Sequence, residues 1–383
     1  MKIGKWAWGC LAALPLLAGC AGFWDPPPAT TTTTATTLSS GYFYVLDVAT
    51  SHVLSYNIAS GVLTFIGTTV VPAEPIALTV APNNSFLYVS TLRGIYLYTL
   101  SGGALTLANA SQTIVGDPAA AMAVDSTNSW LLETSGLGVL NAIPVVSTTG
   151  LPSTTAAICT NNSTICSVNL TGTTINQMAF APNDTLLFVA AGNSGTAAYT
   201  FAAGNTNPFD KVTTIAPANT SGGSALSVAV DPSNRLAYIG EAGAVNSNGG
   251  LRAFTISATG ALSEISGSPF ASGGSGPHAI LPKGTGDVVY VANWNGTGAG
   301  NITGFSIAAS GTTYSLSKLS SVAVTGIQPN AMVEDSEQNF VLVENEGGSP
   351  YLSAYFFDKT TPTQLDLTIQ DSSYVGTTLA AAH

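Results

Sequence analysis

Asp47, Glu241, Asn293 and Asn345 each stand two places beyond a short apolar run, after FYV, AYI, VYV and VLV in turn. Two carboxylates and two amides are the donors a hard cation such as Ca2+ or Mg2+ takes, and such a cation polarises a carbonyl while a base activates water. Glu241 and His278, the latter in GPHAI, are the candidates for that base. The same places offer a second chemistry. Glu133, Glu344, Asn293 and Asn345 supply hydrogen bonds and Trp294 a stacking face for a neutral ligand, with Glu346, Gln177, Gln328 and Asn330 close by in the pattern. A third reading needs no ligand, because Asn and Asp are common wherever a chain turns.

These residues converge only if separate parts of the chain bring them to one face, and a repeat supplies the parts. APNNSFLYVS, APNDTLLFVA and DPSNRLAYIG restate one phrase, a turn followed by an apolar strand. Aligned on that strand, seven copies end at Val45, Val89, Leu132, Val189, Ile239, Val291 and Val343, at intervals of roughly fifty residues. That length accommodates four short strands with their turns, one blade of a propeller. The chain is therefore expected to be all-β, a seven-bladed β-propeller over residues 41–383. The first copy lacks a strand before it, while YVGTTLAAAH at the end matches IVGDPAAAMAV at Ile114 to Val124. The last segment is expected to supply the innermost strand of the first blade and so close the ring.

Composition agrees and excludes other classes. Only 8% of residues are charged and 40 are Gly, too few charges for a long helical protein and suited to strands broken by turns. Nine Lys and Arg against twenty Asp and Glu leave no basic face for phosphates, which excludes nucleic acid as a partner. There is no Gly-x-Ser-x-Gly elbow in a strand-to-helix setting, no HExxH and no P-loop.

The N-terminus reads as an export signal. Residues 1–19 combine Lys2 and Lys5 with an apolar stretch too short to span a bilayer, and LAGC at Leu17 to Cys20 matches the bacterial lipobox. Cys20 is thus the expected lipidation site, and the Pro/Thr-rich stretch over residues 20–40 the expected tether. The anchor would hold the domain to a membrane at the cell envelope. No Asp follows Cys20, which points to the outer membrane or cell surface. With Cys10 in the signal and Cys20 lipidated, Cys159 and Cys166 remain for a disulfide in an oxidising compartment.

DPSNRLAYIGEAG, GGLRAFTISATGALSEISGSPFASGGSGPHAI and VVYVANWNGTGAGNITGFSI resemble the seven-bladed lactonase family, whose known enzymes include a 6-phosphogluconolactonase, and related propellers marked by a YVTN motif. The resemblance implies lactone opening if the chain is an enzyme, and it puts His278 where that family presents His or Arg to the central funnel. The corresponding segments AEPIA, GDPAA, TINQM, SGGSAL and IQPNA have no basic residue, whereas a phosphorylated lactone calls for cations. The expectation is an extracytoplasmic, lipid-anchored, lactonase-like propeller binding a small-molecule or carbohydrate ligand, or an envelope protein, at its funnel. The alternatives are a hydrolase opening a sugar lactone, metal-assisted or not, and a non-catalytic envelope scaffold.

Overall fold

The computed structural model describes residues 39–59, 62–135, 138–154, 165–170, 174–319, 323–358, 364–371, 376 and 378–382. The signal, Cys20 and nearly all of the expected tether lie outside these residues, as does Cys159. The first strand starts at Ser39, slightly before the expected boundary at residue 41. Apart from a short 3-10 turn at Asn109–Ser111, every regular element described is a strand.

Seven antiparallel units follow one another, and the phrase picked out in the sequence forms the second strand of each. The innermost strands are Pro75–Val80 in blade 2, Ala121–Val124 in blade 3, Gln177–Phe180 in blade 4, Ser224–Val230 in blade 5, Gly276–Pro282 in blade 6 and Ala323–Glu334 in blade 7. In blade 1 that place is taken by the C-terminal strand Thr378–Ala382, which pairs antiparallel with Ser39–Asp47, Leu379 opposite Val45. Blades 6 and 7 are also hydrogen-bonded to each other, because the third strand of blade 6, Ala299–Ser310, pairs with the inner strand of blade 7.

The second strands read as unbroken apolar runs because both of their faces are covered. Phe86–Thr91 and Leu186–Ala190 are buried at every position. Alternate residues face opposite neighbours: Tyr44 and Leu46 pack with Leu87 and Val89 of blade 2, whereas Phe43 and Val45 pack with Leu342 and Leu352 of blade 7. Seven such hydrophobic clusters form, one between each blade and the next, and the seventh joins blade 7 to blade 1. Each fully buried Leu, Val or Phe contributes about 1.5–3 kcal/mol.

The Pro/Asn/Asp turns before these strands have a specific geometry. Asn84, Asn128, Asp184 and Asn234 take φ of 54–56°, the left-handed region that Asn and Asp tolerate best. Where the turn opens on Asp, the carboxylate caps the strand that follows. Asp231 Oδ1 accepts from the backbone N–H of Arg235 at 2.5 Å and of Leu236 at 3.1 Å, and Asp335 does the same for Asn339 and Phe340.

Candidate functional site

Residues from all seven blades line one cavity of about 600 Å3 along the axis, bounded by the inner strands. A recurring irregularity in those strands decides what enters it. In blades 2, 5, 6 and 7 the register slips by one residue between Pro75 and Ala77, Ala225 and Ser227, Pro277 and Ala279, and Pro329 and Ala331. The extra residues are Ile76, Leu226, His278 and Asn330, and the last three line the cavity. A β-bulge re-aims one side chain out of the pleat, and here it turns that side chain toward the axis.

The second strands of blades 6 and 7 supply the other half of the site. Trp294 and Glu346 each stand three places past the aligned apolar run, and both line the cavity. The His278 and Trp294 rings pack with centroids 4.5 Å apart and planes inclined at 38°. Burial holds the His278 imidazole below its ordinary range, with a hydrogen bond to Asn330 acting in the opposite direction. Burial also raises the Glu346 carboxyl. The site so formed has a neutral imidazole, an indole face, an amide and a carboxyl. Gln177 and Asn176 of blade 4 complete the polar lining, though Gln177 Oε1 already accepts from Val228 N–H and Asn176 Nδ2 donates to Ala225 O. No Lys or Arg is among the described residues that line the cavity.

Of the four residues expected to hold a cation, Asp47 and Glu241 are taken up within their own blades, while Asn293 and Asn345 engage only their amide nitrogens and leave each buried Oδ1 without a hydrogen-bond partner. Asp47 Oδ1 and Oδ2 accept from the N–H and hydroxyl of Thr50 in its own hairpin. Glu241 is fully buried; its Oε1 faces Arg252 Nη1 at 3.0 Å and its Oε2 accepts from Ala218 N–H at 2.8 Å. Asn293 Nδ2 donates to Ser272 O and Asn301 Oδ1, and Asn345 Nδ2 to Ser353 Oγ. Glu241, Asn293 and Asn345 thus reach across to the third strand of their own blade. The physical reason is strand alternation: places two beyond the aligned run point into the blade, and places three beyond point to the axis. Glu241 is therefore a buried ion-pair residue and not a free base. Among the described residues, no three His, Cys, Asp or Glu are grouped as a metal site.

Two predicted ligand-binding acids occupy the place immediately after the aligned run, facing the next blade. Glu133 is buried, accepts from Asn141 Nδ2 at 2.5 Å through Oε1, and has its carboxyl raised by burial. Glu344 is buried with its carboxyl raised well above the usual range by burial and by Glu346. Cys166 is buried and disulfide-bonded, while its expected partner Cys159 lies outside the described residues. Of the polar residues noted in the sequence, His278, Trp294, Asn330, Glu346 and Gln177 come together at the axis. The bulges that turn His278 and Asn330 inward have no local sequence signal beyond the Pro that precedes each.

A second cavity, of about 390 Å3, lies at the other end of the inner strands of blades 6 and 7, lined by Leu281, Met332 and Glu334 among others. Burial pushes the Glu334 carboxyl up to about 7.

Many solved structures share this architecture. A proposed 6-phosphogluconolactonase from Bacteroides uniformis superposes with a TM-score of 0.69 at 15% identity, over 89% of this chain and 99% of that one. A second, from Bacteroides fragilis, gives 0.66 at 16%, over 93% and 100%. The periplasmic gluconolactonase of Pseudomonas aeruginosa gives 0.64 at 16%, over 90% and 99%. At these identities the likeness is one of fold. No curated protein matches the chain in sequence. The family model described as lactonase, 7-bladed beta-propeller, matches residues 47–371. That match takes in the second strands of blades 2 to 7 and the His278–Trp294 pair, and the chain belongs to the seven-bladed β-propeller lactonase family.

Proposed function

We propose that this propeller binds an uncharged carbohydrate or its lactone at the axial cavity, between blades 6 and 7. The observation that carries the reading is the His278–Trp294 pair facing a cavity without Lys or Arg among its described lining residues. An indole face packs against the C–H face of a sugar ring, while Asn330, Glu346 and the imidazole offer hydrogen bonds to its hydroxyls. A phosphorylated ligand finds no cation here.

If the chain is an enzyme, its family makes it a lactonase. The neutral state of His278 favours this as a second reading. An unprotonated imidazole can take a proton from water as that water adds to a lactone carbonyl; the ring C–O bond then breaks and the alkoxide leaving group takes up a proton.

Calorimetry with glucono-1,5-lactone, gluconate and their 6-phosphates, together with a lactone-opening assay, tests both readings. Trp294→Ala is expected to weaken binding of the neutral compounds at least about tenfold, roughly 1.4 kcal/mol. The phosphates should bind no better than the neutral forms. His278→Ala should abolish any lactone opening without lowering the melting temperature. Because burial depresses the His278 pKa, the acid limb of any activity profile should lie below about 6.5. No saturable binding by any of the four compounds would overturn the reading.

We further propose that the domain is exported and lipid-anchored through Cys20, on the strength of LAGC and the Thr-rich stretch after it. Cys20→Ser should abolish incorporation of labelled fatty acid and release the protein from the membrane fraction. Unchanged labelling would refute the anchor.

A further inference from the structure

His278 and Glu346 are the only titratable side chains among the described residues that line the axial cavity. They come from different blades. His278 is the bulged residue of the inner strand Gly276–Pro282 in blade 6. Glu346 belongs to the second strand of blade 7, Phe340–Gly348, and is accessible from the cavity. Asn330, the bulged residue of blade 7, links the two. Its side chain is hydrogen-bonded to His278, and it and Glu346 flank the paired residues Pro329 and Asn345 of adjacent strands.

The cavity walls push these two groups in opposite directions. Loss of solvent opposes protonation of His278, and the same loss opposes ionisation of Glu346. Each is thereby drawn to its neutral form, one a proton acceptor and the other a proton donor. No Lys or Arg among the described lining residues holds Glu346 as an anion. The nearest other carboxyl, Glu344 on the same strand, is itself buried and raised well above the usual range. A pair of titratable groups shifted apart by their surroundings is the pattern of an acid and a base that serve one reaction.

We propose that Glu346 is the proton donor to the leaving group in lactone opening, with His278 as the base, a role that rests on the lactonase reading above and supplies its second proton transfer. His278 takes a proton from water as the water oxygen bonds to the carbonyl carbon. When the tetrahedral adduct collapses, the bond between that carbon and the ring oxygen breaks, and the Glu346 carboxyl gives its proton to the departing oxygen. The product is the hydroxy acid. Proton exchange through solvent from the imidazolium to the Glu346 carboxylate restores both groups. A donor matters most when the leaving oxygen is an aliphatic alkoxide, since a phenol, with a pKa of ~10, departs far more readily as its anion.

The experiment compares two lactones without hydroxyl groups on the purified full chain: δ-valerolactone, which releases an alkoxide, and dihydrocoumarin, which releases a phenolate. Opening is followed as a function of pH, after subtraction of the spontaneous rate. Glu346→Gln should lower kcat on δ-valerolactone at least about 100-fold, and by a much smaller factor on dihydrocoumarin. Only the protonated carboxyl donates, so wild-type opening of δ-valerolactone should decline on the alkaline side as Glu346 ionises, and the variant should lack that decline. Should Glu346→Gln fail to fold, the wild-type ratio of the two rates decides: it should fall for δ-valerolactone relative to dihydrocoumarin as pH rises, and a constant ratio would overturn the proposal. Equal losses on the two lactones in the folded variant would make Glu346 a residue that holds the ligand or the fold, and an undiminished kcat would place the donor elsewhere; either result overturns the assignment while leaving the lactonase reading intact. Wild-type protein that opens neither lactone, nor glucono-1,5-lactone, would remove that reading and this role together.

Discussion

Arg252 holds Glu241 through one guanidinium nitrogen and Glu264 through the other, at 3.0 and 2.6 Å, and its guanidinium lies over the Phe254 ring. Glu241 has no exposed surface, so taking away its charge strands part of the Arg252 charge in a poorly solvated place. Glu241→Gln is expected to lower stability by about 2–3 kcal/mol, less than for an isolated buried pair because Glu264 remains. It should leave ligand affinity intact. Chemical denaturation of the variant checks this, and an unchanged midpoint would return Glu241 to the list of site candidates. The residue types that carry chemistry were readable in the sequence, but their facing was not. Asn293 and Trp294 are neighbours in the chain, yet the first is buried against Ser272 and Asn301 and the second lines the axis. A turn-rich strand end gives no local indication of which of two successive side chains faces inward, and one place of register exchanges them.

The elements themselves were legible because their pattern is physical. Strands covered on both faces must be apolar throughout, and a left-handed turn residue selects Asn or Asp, so the second strands and the turns before them stand out in the sequence. The inner strands were harder to place. They are short and partly polar, since one face lines the cavity, and the bulges at Leu226, His278 and Asn330 break their alternation. Thr378–Ala382 was expected from its likeness to Ile114 to Val124, and it pairs with Ser39–Asp47 over five residues. Leu379 and its neighbours also pack in the cluster shared by blades 7 and 1. Removing residues 376–383 should therefore expose a strand edge and part of that cluster, lowering the melting temperature by about 10 °C or more. A truncated chain melting cooperatively at the wild-type temperature would show the strand to be dispensable.

At the scale of the whole molecule, seven clusters of similar kind make the ring, while only one sector of it is chemically distinctive. Among the described residues, only blades 6 and 7 pair an inward bulge bearing a polar side chain with a polar or aromatic residue three places past the aligned run, and their strands form one continuous sheet. The overall acidity of the chain extends to the cavity, which contains Glu346 and no Lys or Arg among its described lining residues. The C-terminal strand also imposes an order of events. Blade 1 is the first to leave the ribosome, yet it stays a three-stranded fragment with an open inner edge until residues 378–382 have been made. Blades 2 to 7 can assemble as they emerge, but the first must wait for the last. A nascent chain is thus kept incomplete for the whole of its synthesis, and a stop codon a few residues early would leave the ring open after nearly all of the protein had been made.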